Sequence, residues 1–351
     1  MKLLRKEAAF VLVLAGLFGI LAYTGIALTR GSERIAMLWL PNAVAAAWLL
    51  YSRTRATPLY IFGCLLANIA VNRLVGDNWN IALGLAIANS VEIVTLVLLV
   101  RKAKAAALDL AEVDTYAVLI LASLVASFAS AIVASVVLAD SGAGFSLADG
   151  QRWLVADALS LIIVLPVTLV LLGAWRQREA PQGSDLLEWI VMVALVTIGT
   201  ILIFTQTTFP FLFLTSPLVL YAAFRTGLVG TAVATLLITA ISSISTFIGL
   251  GPMALVRGGS ELQLVAYQVF LATNFAIGFP VAALLSQRNR DRSRLRLERD
   301  DKQEVLDNIR DVIFRADADG CWSSLNPAWE TMTGYKIEES LGKPTTAFLH
   351  P

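Results

Sequence analysis

"NIALGLAIANSVEIVTLVLLVRK", residues 80–102, decides what kind of protein this is. From Ile81 to Val100 the one ionisable side chain is Glu92, and the run stops on Arg101 and Lys102. About 18 or more such residues cross the ~30 Å hydrocarbon layer as a helix, which pairs its own backbone N–H and C=O groups. A carboxylate in mid-run is costly against lipid, so Glu92 is expected to face a bundle interior or a cavity.

The rest of the chain repeats the pattern. Its 351 residues are 57% hydrophobic and 15% charged, with a mean hydropathy of +0.73. Apolar runs recur from Ala8 to Leu285, whereas the alternating ten-residue segments of a membrane β-barrel are missing. Ten candidate helices follow, at 8–29, 35–52, 57–72, 79–100, 114–139, 152–174, 187–206, 209–224, 227–249 and 262–285. Three of them (35–52, 57–72 and 209–224) are short, and eight full spans result if short ones re-enter. The first run follows Lys2, Arg5 and Lys6, but it exceeds a signal-peptide core and lacks a clean cleavage site, so it reads as a retained helix.

Charge placement sets the expected orientation. With the N-terminus inside, fifteen basic residues face inward: Lys2, Arg5, Lys6, Arg53, Arg55, Arg101, Lys102, Lys104, Arg176, Arg178, Arg225, Arg288, Arg290, Arg292 and Arg294. Five (Arg30, Arg34, Arg73, Arg152 and Arg257) face outward. Both termini are therefore expected in the cytoplasm. Cys64 and Cys321 lie far apart, which excludes a disulfide framework. His350 is the one histidine, so a membrane haem held by two histidines is excluded; any cofactor stays unassigned. The sequence carries no Walker A, HExxH or G-x-S-x-G pattern, and no catalytic residue is assigned.

Polar residues inside the runs mark a candidate pocket. Glu92 and Asp157 are the carboxylates, with Asn42, Asn68, Asn72, Asn89, Gln268 and Asn274 as amides. Asn68 and Asn72, four apart, share a helix face; Asn89 and Glu92 are three apart, and Ser160 shares a face with Asp157. Their levels coincide in the outer half of the membrane, which points to a polar pocket with Trp39 and Pro41 at its lip. The competing reading is plain interhelical hydrogen bonding at about 0.6 kcal/mol per contact. Two stretches are also faintly alike, "LWLPNAVAAAWLLYSRTR" at 38–55 and "FLTSPLVLYAAFRTG" at 213–227, as an internal duplication would produce.

Beyond Leu285 the composition changes. Residues 286–314 contain no proline or glycine and are expected to continue the last helix into the cytoplasm. Leu295, Lys302 and Ile309 fall seven apart and Val305 and Val312 form a second stripe, a weak two-chain seam suited to relaying a signal. The ordinary alternative is a solvated helix with a stop-transfer charge block. Then "VIFRAD" reads as a strand, "ADG" as a turn and "CWSSLN" as a second strand. Asn326 is a cap candidate for the helix in "NPAWETMTGY", which Gly334 ends.

This tail, about residues 305–351, resembles the start of a PAS domain in its D-x-D-G turn, N-P-A-W helix, T-G-Y, E-E-S-L-G and closing L-H-P. The preceding region resembles the MASE type-1 family of membrane-associated sensor domains. That resemblance rests on "LWLPNAVAAAWLL" (38–50), "FGCLLANIAVN" (62–72), "ANSVEIVTLVLLVRK" (88–102), "SPLVLYAAFRTGLVGTAVATLLIT" (216–239) and "ATNFAIGFPVAALLSQRNR" (272–290). Ala43 stands where the family often has glycine.

The expected fold is thus an all-α polytopic membrane bundle of about ten helices over 1–287, a cytoplasmic helix over 288–309, and an incomplete α+β PAS segment over 310–351. With so few strands, the apolar face of Val312, Phe314 and Trp322 is expected to lack packing partners. The resemblance implies a bacterial inner-membrane sensor ahead of cyclic-di-GMP enzymes or a histidine kinase, although neither catalytic signature occurs here. Expected partners are the bilayer, a small-molecule or membrane-state stimulus and a second copy of the chain, without nucleic acid. The rival readings are a transporter or channel with a regulatory tail, favoured by the buried carboxylates and faint repeat, and a lipid-acting membrane enzyme.

Overall fold

A computed structural model describes residues 2–29, 39–104, 108–140, 147–177 and 184–348. The chain forms two compact units, Met1–Ser286 and Gln287–Pro351. The first holds α1 (Lys2–Thr29), α2 (Leu40–Ser52), α3 (Thr57–Leu74), α4 (Trp79–Ala103), α5 (Val113–Asp140), α6 (Leu147–Gln177), α7 (Ser184–Thr205) and α8 (Thr215–Phe247). The next helix, α9 (Ser260–Asn308), starts in the first unit and ends in the second. Among the described residues, eight helices are long and apolar enough to cross a membrane. Their outer faces are apolar too, as with Leu12, Ile20, Leu98, Phe128, Ile198 and Leu202.

Of the two counts expected, about ten or eight if short runs fall short of spanning, the described residues give eight. The first 18-residue candidate, 35–52, is helical from Leu40 only, and its residues 35–38 lie outside the described residues. Proline is tolerated in the first turn of a helix, and Pro41 sits there. At 1.5 Å per residue, the 13 residues of α2 reach about 20 Å, short of a span. The candidates 209–224 and 227–249 merge into α8. Residues 206–210 are not helical: the Gln206 side chain accepts from the N–H groups of Thr208 (2.8 Å) and Phe209 (2.9 Å), holding a turn. Inside α8, Gly227 stands at φ 64°, ψ −153°, a region open to glycine alone, so the helix is broken there.

The two stretches that look alike fold alike. Each is a short helix, a left-handed break at Arg53 (φ 45°) or Gly227, and a longer helix. Each short helix starts against an asparagine on a later long helix: Asn42 donates to Asn89 of α4 (2.8 Å), and Thr215 donates to Asn274 of α9 (2.9 Å). Each ends near the start of the preceding long helix. Thr54 reaches Glu7 of α1, and Arg225 pairs with Glu188 of α7.

Between these halves α6 acts as a spine and is the most buried of the eight. Leu161, Val164, Leu165 and Leu169 join the core of α1–α5, while Ile163, Val167 and Val170 join the core of α7–α9. Spacings of three and four put each set on one face. Because Asp157 lies four residues before Leu161, it points with the first set.

In the second unit, β1 (Phe314–Ala316) pairs antiparallel with β2 (Trp322–Leu325), Phe314 opposite Leu325. The expected turn forms: Gly320 has φ 76°, and Asp317 Oδ1 accepts from the N–H groups of Asp319 (3.1 Å) and Cys321 (2.8 Å). Two short helices follow, α10 (Ala328–Thr333) and α11 (Ile337–Ser340). The expectation that Trp322 lacks partners is corrected. Its ring meets Phe314 at 4.7 Å and Trp329 at 5.5 Å, and Trp329 meets Phe348 at 5.4 Å, so the segment gathers a small aromatic core. His350 lies outside the described residues.

Candidate functional site

A run of four alanines within five residues explains why α2 can stand inside the bundle. Ala43, Ala45, Ala46 and Ala47 are at most 1% exposed and let α2 approach α4 and α6 closely. Both ends of α2 are tied. At the start, the Trp39 N–H donates to Ser160 Oγ of α6 (2.6 Å). At the end, Arg101 of α4 donates to the Leu49 carbonyl (2.8 Å), and Arg53 in turn donates to the Lys104 carbonyl ending α4 (2.9 Å). Each arginine thus places its charge at the other helix's C-terminal carbonyls, where the helix dipole favours a cation.

This fixes the level of the α2 N-terminus. Its third residue, Asn42, meets Asn89 and Glu92, and Glu92 is the fourteenth residue of the 25-residue α4. The N-terminus of α2 therefore opens beside the middle of α4, and its partial positive charge, about half a unit, lies close to the Glu92 carboxylate.

Glu92 is fully buried, and both its oxygens accept hydrogen bonds. Asn42 Nδ2 donates to Oε2 (2.5 Å), and Ser127 Oγ of α5 donates to Oε1 (2.6 Å). Two neutral donors and a helix N-terminus thus converge on this one buried carboxyl group. One turn along α5, Ser130 Oγ accepts from the Trp153 indole N–H of α6 (3.3 Å). Asp157, one turn along from Trp153, neighbours that indole and Ser130 and lies within Coulombic range of Glu92. No described lysine or arginine pairs with either carboxylate. Two oxygens in the cluster are buried without a partner, Asn42 Oδ1 and Asp157 Oδ2. A buried acceptor left unpaired costs about 1–3 kcal/mol, so these atoms are poised for a donor or a cation.

The first unit matches the family description MASE1 over residues 10–289, most of the chain. The chain belongs to the MASE1 family. Residues 300–351 match the PAS fold. No curated protein and no solved structure matches the chain. A MASE1 membrane domain followed by a PAS fold is a membrane sensory input region of a signalling protein.

Within the MASE1 domain the single predicted pocket resolves into three separate places. Asn42, Asn89 and Glu92 come together, with Asp157 beside them. Asn68 and Asn72 bond each other (2.5 Å) on one face of α3, leaving Asn68 Nδ2 without a partner. Asn274 pairs with Thr215 and with the Phe270 carbonyl (2.9 Å) in the other half, and Gln268 is buried there. Asn68, Asn72 and Asn274 share the polar character of the cluster, but their hydrogen bonds go to other partners. Pro41 is buried in the first turn of α2 instead of standing at a lip, while Trp39 is half-buried.

Ser127 and Ser130 went unread in the sequence. Their signal was present: Ser123, Ser127 and Ser130 are four and three apart, one face of α5, and all are fully buried.

The relay residues lie on α9 and just past it. Leu295 and Val305 are exposed, Ile309 is half-buried beyond the helix end, and the Lys302 side chain lies outside the described residues. The Asn326 cap expectation is corrected: Asn326 reaches back to α9 instead of capping α10. Its Nδ2 donates to the carbonyls of Leu306 (3.2 Å), Ile309 (3.4 Å) and Asp311 (3.0 Å), and its Oδ1 accepts from the Ile313 N–H (2.9 Å). The carbonyls at the end of α9 have no helical partner, and the first residues of the PAS fold supply one.

Proposed function

We propose that this chain is the input region of a bacterial sensor in the inner membrane, with both termini in the cytoplasm. A stimulus acts at the Asn42–Glu92–Ser127–Asp157 cluster, shifts α9, and reaches the PAS fold and then an output module. Cyclic-di-GMP synthesis or turnover is the output the MASE1–PAS order favours first, with a histidine kinase next. The observation that carries this reading is α9 itself. One helix of 49 residues begins among the bundle helices and ends where Asn326 holds its last carbonyls. A helix transmits a shift only when the stimulus binds the two bundle states unequally.

The test is the rate of trypsin cleavage within the arginine-rich stretch from Arg288 to Arg299, in the full chain in lipid nanodiscs. Asp157→Asn is expected to change that rate relative to wild type. An unchanged rate, with the bundle intact, contradicts the relay.

A second reading has its own support. Repeated short helices with buried ends also occur in secondary transporters, and here one of the two, α2, opens beside a carboxylate. Accumulation of a labelled substrate in vesicles, abolished by Asp157→Asn, would establish that reading in place of the sensor.

A further inference from the structure

The two orphaned atoms of the cluster are both acceptors. Asn42 Oδ1 belongs to a residue with no exposed surface, and Asp157 Oδ2 to one only 4% exposed. Asn42 uses its nitrogen on Asn89 and Glu92, so its oxygen lies in the same cluster and cannot be exchanged for the nitrogen without losing both bonds. Protonation is the rival answer: a proton on Asp157 neutralises that group and makes it an O–H donor to an acceptor within reach, so the response to acid is one arm of the test below. Among the described residues, the neighbouring elements bring no cation. The polar groups facing the cluster are Asn42 from α2, Asn89 and Glu92 from α4, Ser127 and Ser130 from α5, and Trp153 and Asp157 from α6.

We propose that Asp157 and Asn42, in the field of Glu92, form a binding site for one small monovalent cation, an alkali ion or ammonium. This rests on reading the cluster as the stimulus site. The chemistry selects charge and size. Both oxygens of Glu92 are already taken by Asn42 and Ser127, so Glu92 contributes its field and not a ligand. That leaves one carboxylate oxygen and one amide oxygen as direct ligands, a hard-oxygen set carrying a single charge. Divalent ions take six or more oxygens with several carboxylates or keep much of their water, and this cluster offers neither. With one cation held, the two carboxylates sum to one negative charge beside the positive end of α2, a balance no described side chain provides.

The experiment is thermal unfolding of the full chain in lipid nanodiscs at fixed pH. Sodium, lithium, potassium or ammonium chloride replaces N-methyl-D-glucamine chloride at constant ionic strength. A ligand that binds the folded state raises Tm in a saturable way. The expected result is such a rise with at least one small cation, and the alkali and ammonium arms separate the two sources. The rise is lost in Asp157→Asn, reduced in Asn42→Ala and retained in Asn274→Ala. If Asp157→Asn does not fold, Asn42→Ala carries the same test. A Tm indifferent to all four cations, or an equal rise in wild type and both site variants, overturns the proposal. So does a Tm that responds to acid alone, which assigns the orphaned oxygens to a proton. A cation-dependent Tm with no change in trypsin cleavage keeps this site and sinks the sensory reading. Cleavage altered by Asp157→Asn with no cation dependence does the reverse.

Discussion

Ser127→Ala is the perturbation that most cleanly separates a functional carboxylate site from ordinary interhelical bonding. The Ser127 hydroxyl is fully buried and makes one bond, to Glu92 Oε1 at 2.6 Å. Removing it leaves one oxygen of a buried carboxylate without a donor. Hydrogen bonds to charged groups contribute about 1.5–3 kcal/mol, against about 0.6 kcal/mol for an average interhelical bond in a membrane. A control lies one turn away. Ser123 is just as buried, but its hydroxyl donates to the Leu119 carbonyl of its own helix (2.7 Å). Ser123→Ala removes no interhelical partner, and alanine is the better helix former, so its expected cost is near zero. Reversible unfolding of the two variants in mixed micelles gives both values. In a Glu92→Gln background the Ser127→Ala cost should fall to roughly 1 kcal/mol or less, since the charge is gone and the hydroxyl can turn. If Ser127→Ala and Ser123→Ala cost the same, or if Glu92→Gln leaves the difference unchanged, the account of Glu92 as a donor-saturated carboxyl group is wrong.

Other outcomes follow from the same geometry. Gly227→Ala should cost about 1–3 kcal/mol in the same assay, because φ 64°, ψ −153° is closed to a residue with a Cβ; a neutral result would mean that α8 is unbroken there. Glu330 accepts from the Ile337 N–H (3.0 Å) and from Lys336 Nζ (2.9 Å), which hold its carboxyl below the usual glutamate range. A lowered pKa means that this bond is complete at neutral pH and is lost as pH falls through the lowered value. The amide NMR shift of Ile337 should therefore move in acid and stop moving in Glu330→Gln. Leu295 and Val305 are exposed on α9. As a seam between two copies, they predict that Leu295→Asp with Val305→Asp lowers energy transfer between labelled chains in nanodiscs, and unchanged transfer would remove the seam.

Apolar run length located the membrane domain and most of its spanning helices, because lipid leaves the backbone few alternatives. Glu92 and Asp157 were legible for the same reason: a carboxylate in such a run must be accommodated inside. The half-length of α2 was harder. Its composition is as apolar as that of a full span, and the one local clue was Pro41, which fits the first turn of a helix and so marks a start at Leu40. Gly227 gave no clue of its own, since glycine is common in membrane helices and its positive φ is a property of the backbone. Asn68, Asn72 and Asn274 resembled Asn42 in type and level. Which of them meet depends on rotation about each helix axis, and a single sequence does not supply that. Asn326 looked like a cap by its position before Pro327, yet the unpaired carbonyls ending α9 offered its side chain more partners than the first turn of α10.

The central claim is that the buried cluster and the PAS segment are coupled through α9. It is tested most directly by amide hydrogen exchange at Ile313 and Asn326, the two N–H groups that join the segment after α9 to the start of α10. The full chain in nanodiscs would be compared with its Glu92→Gln variant. The account predicts a changed exchange rate at both amides. Identical rates at both, with α4 and α5 still protected, would contradict it.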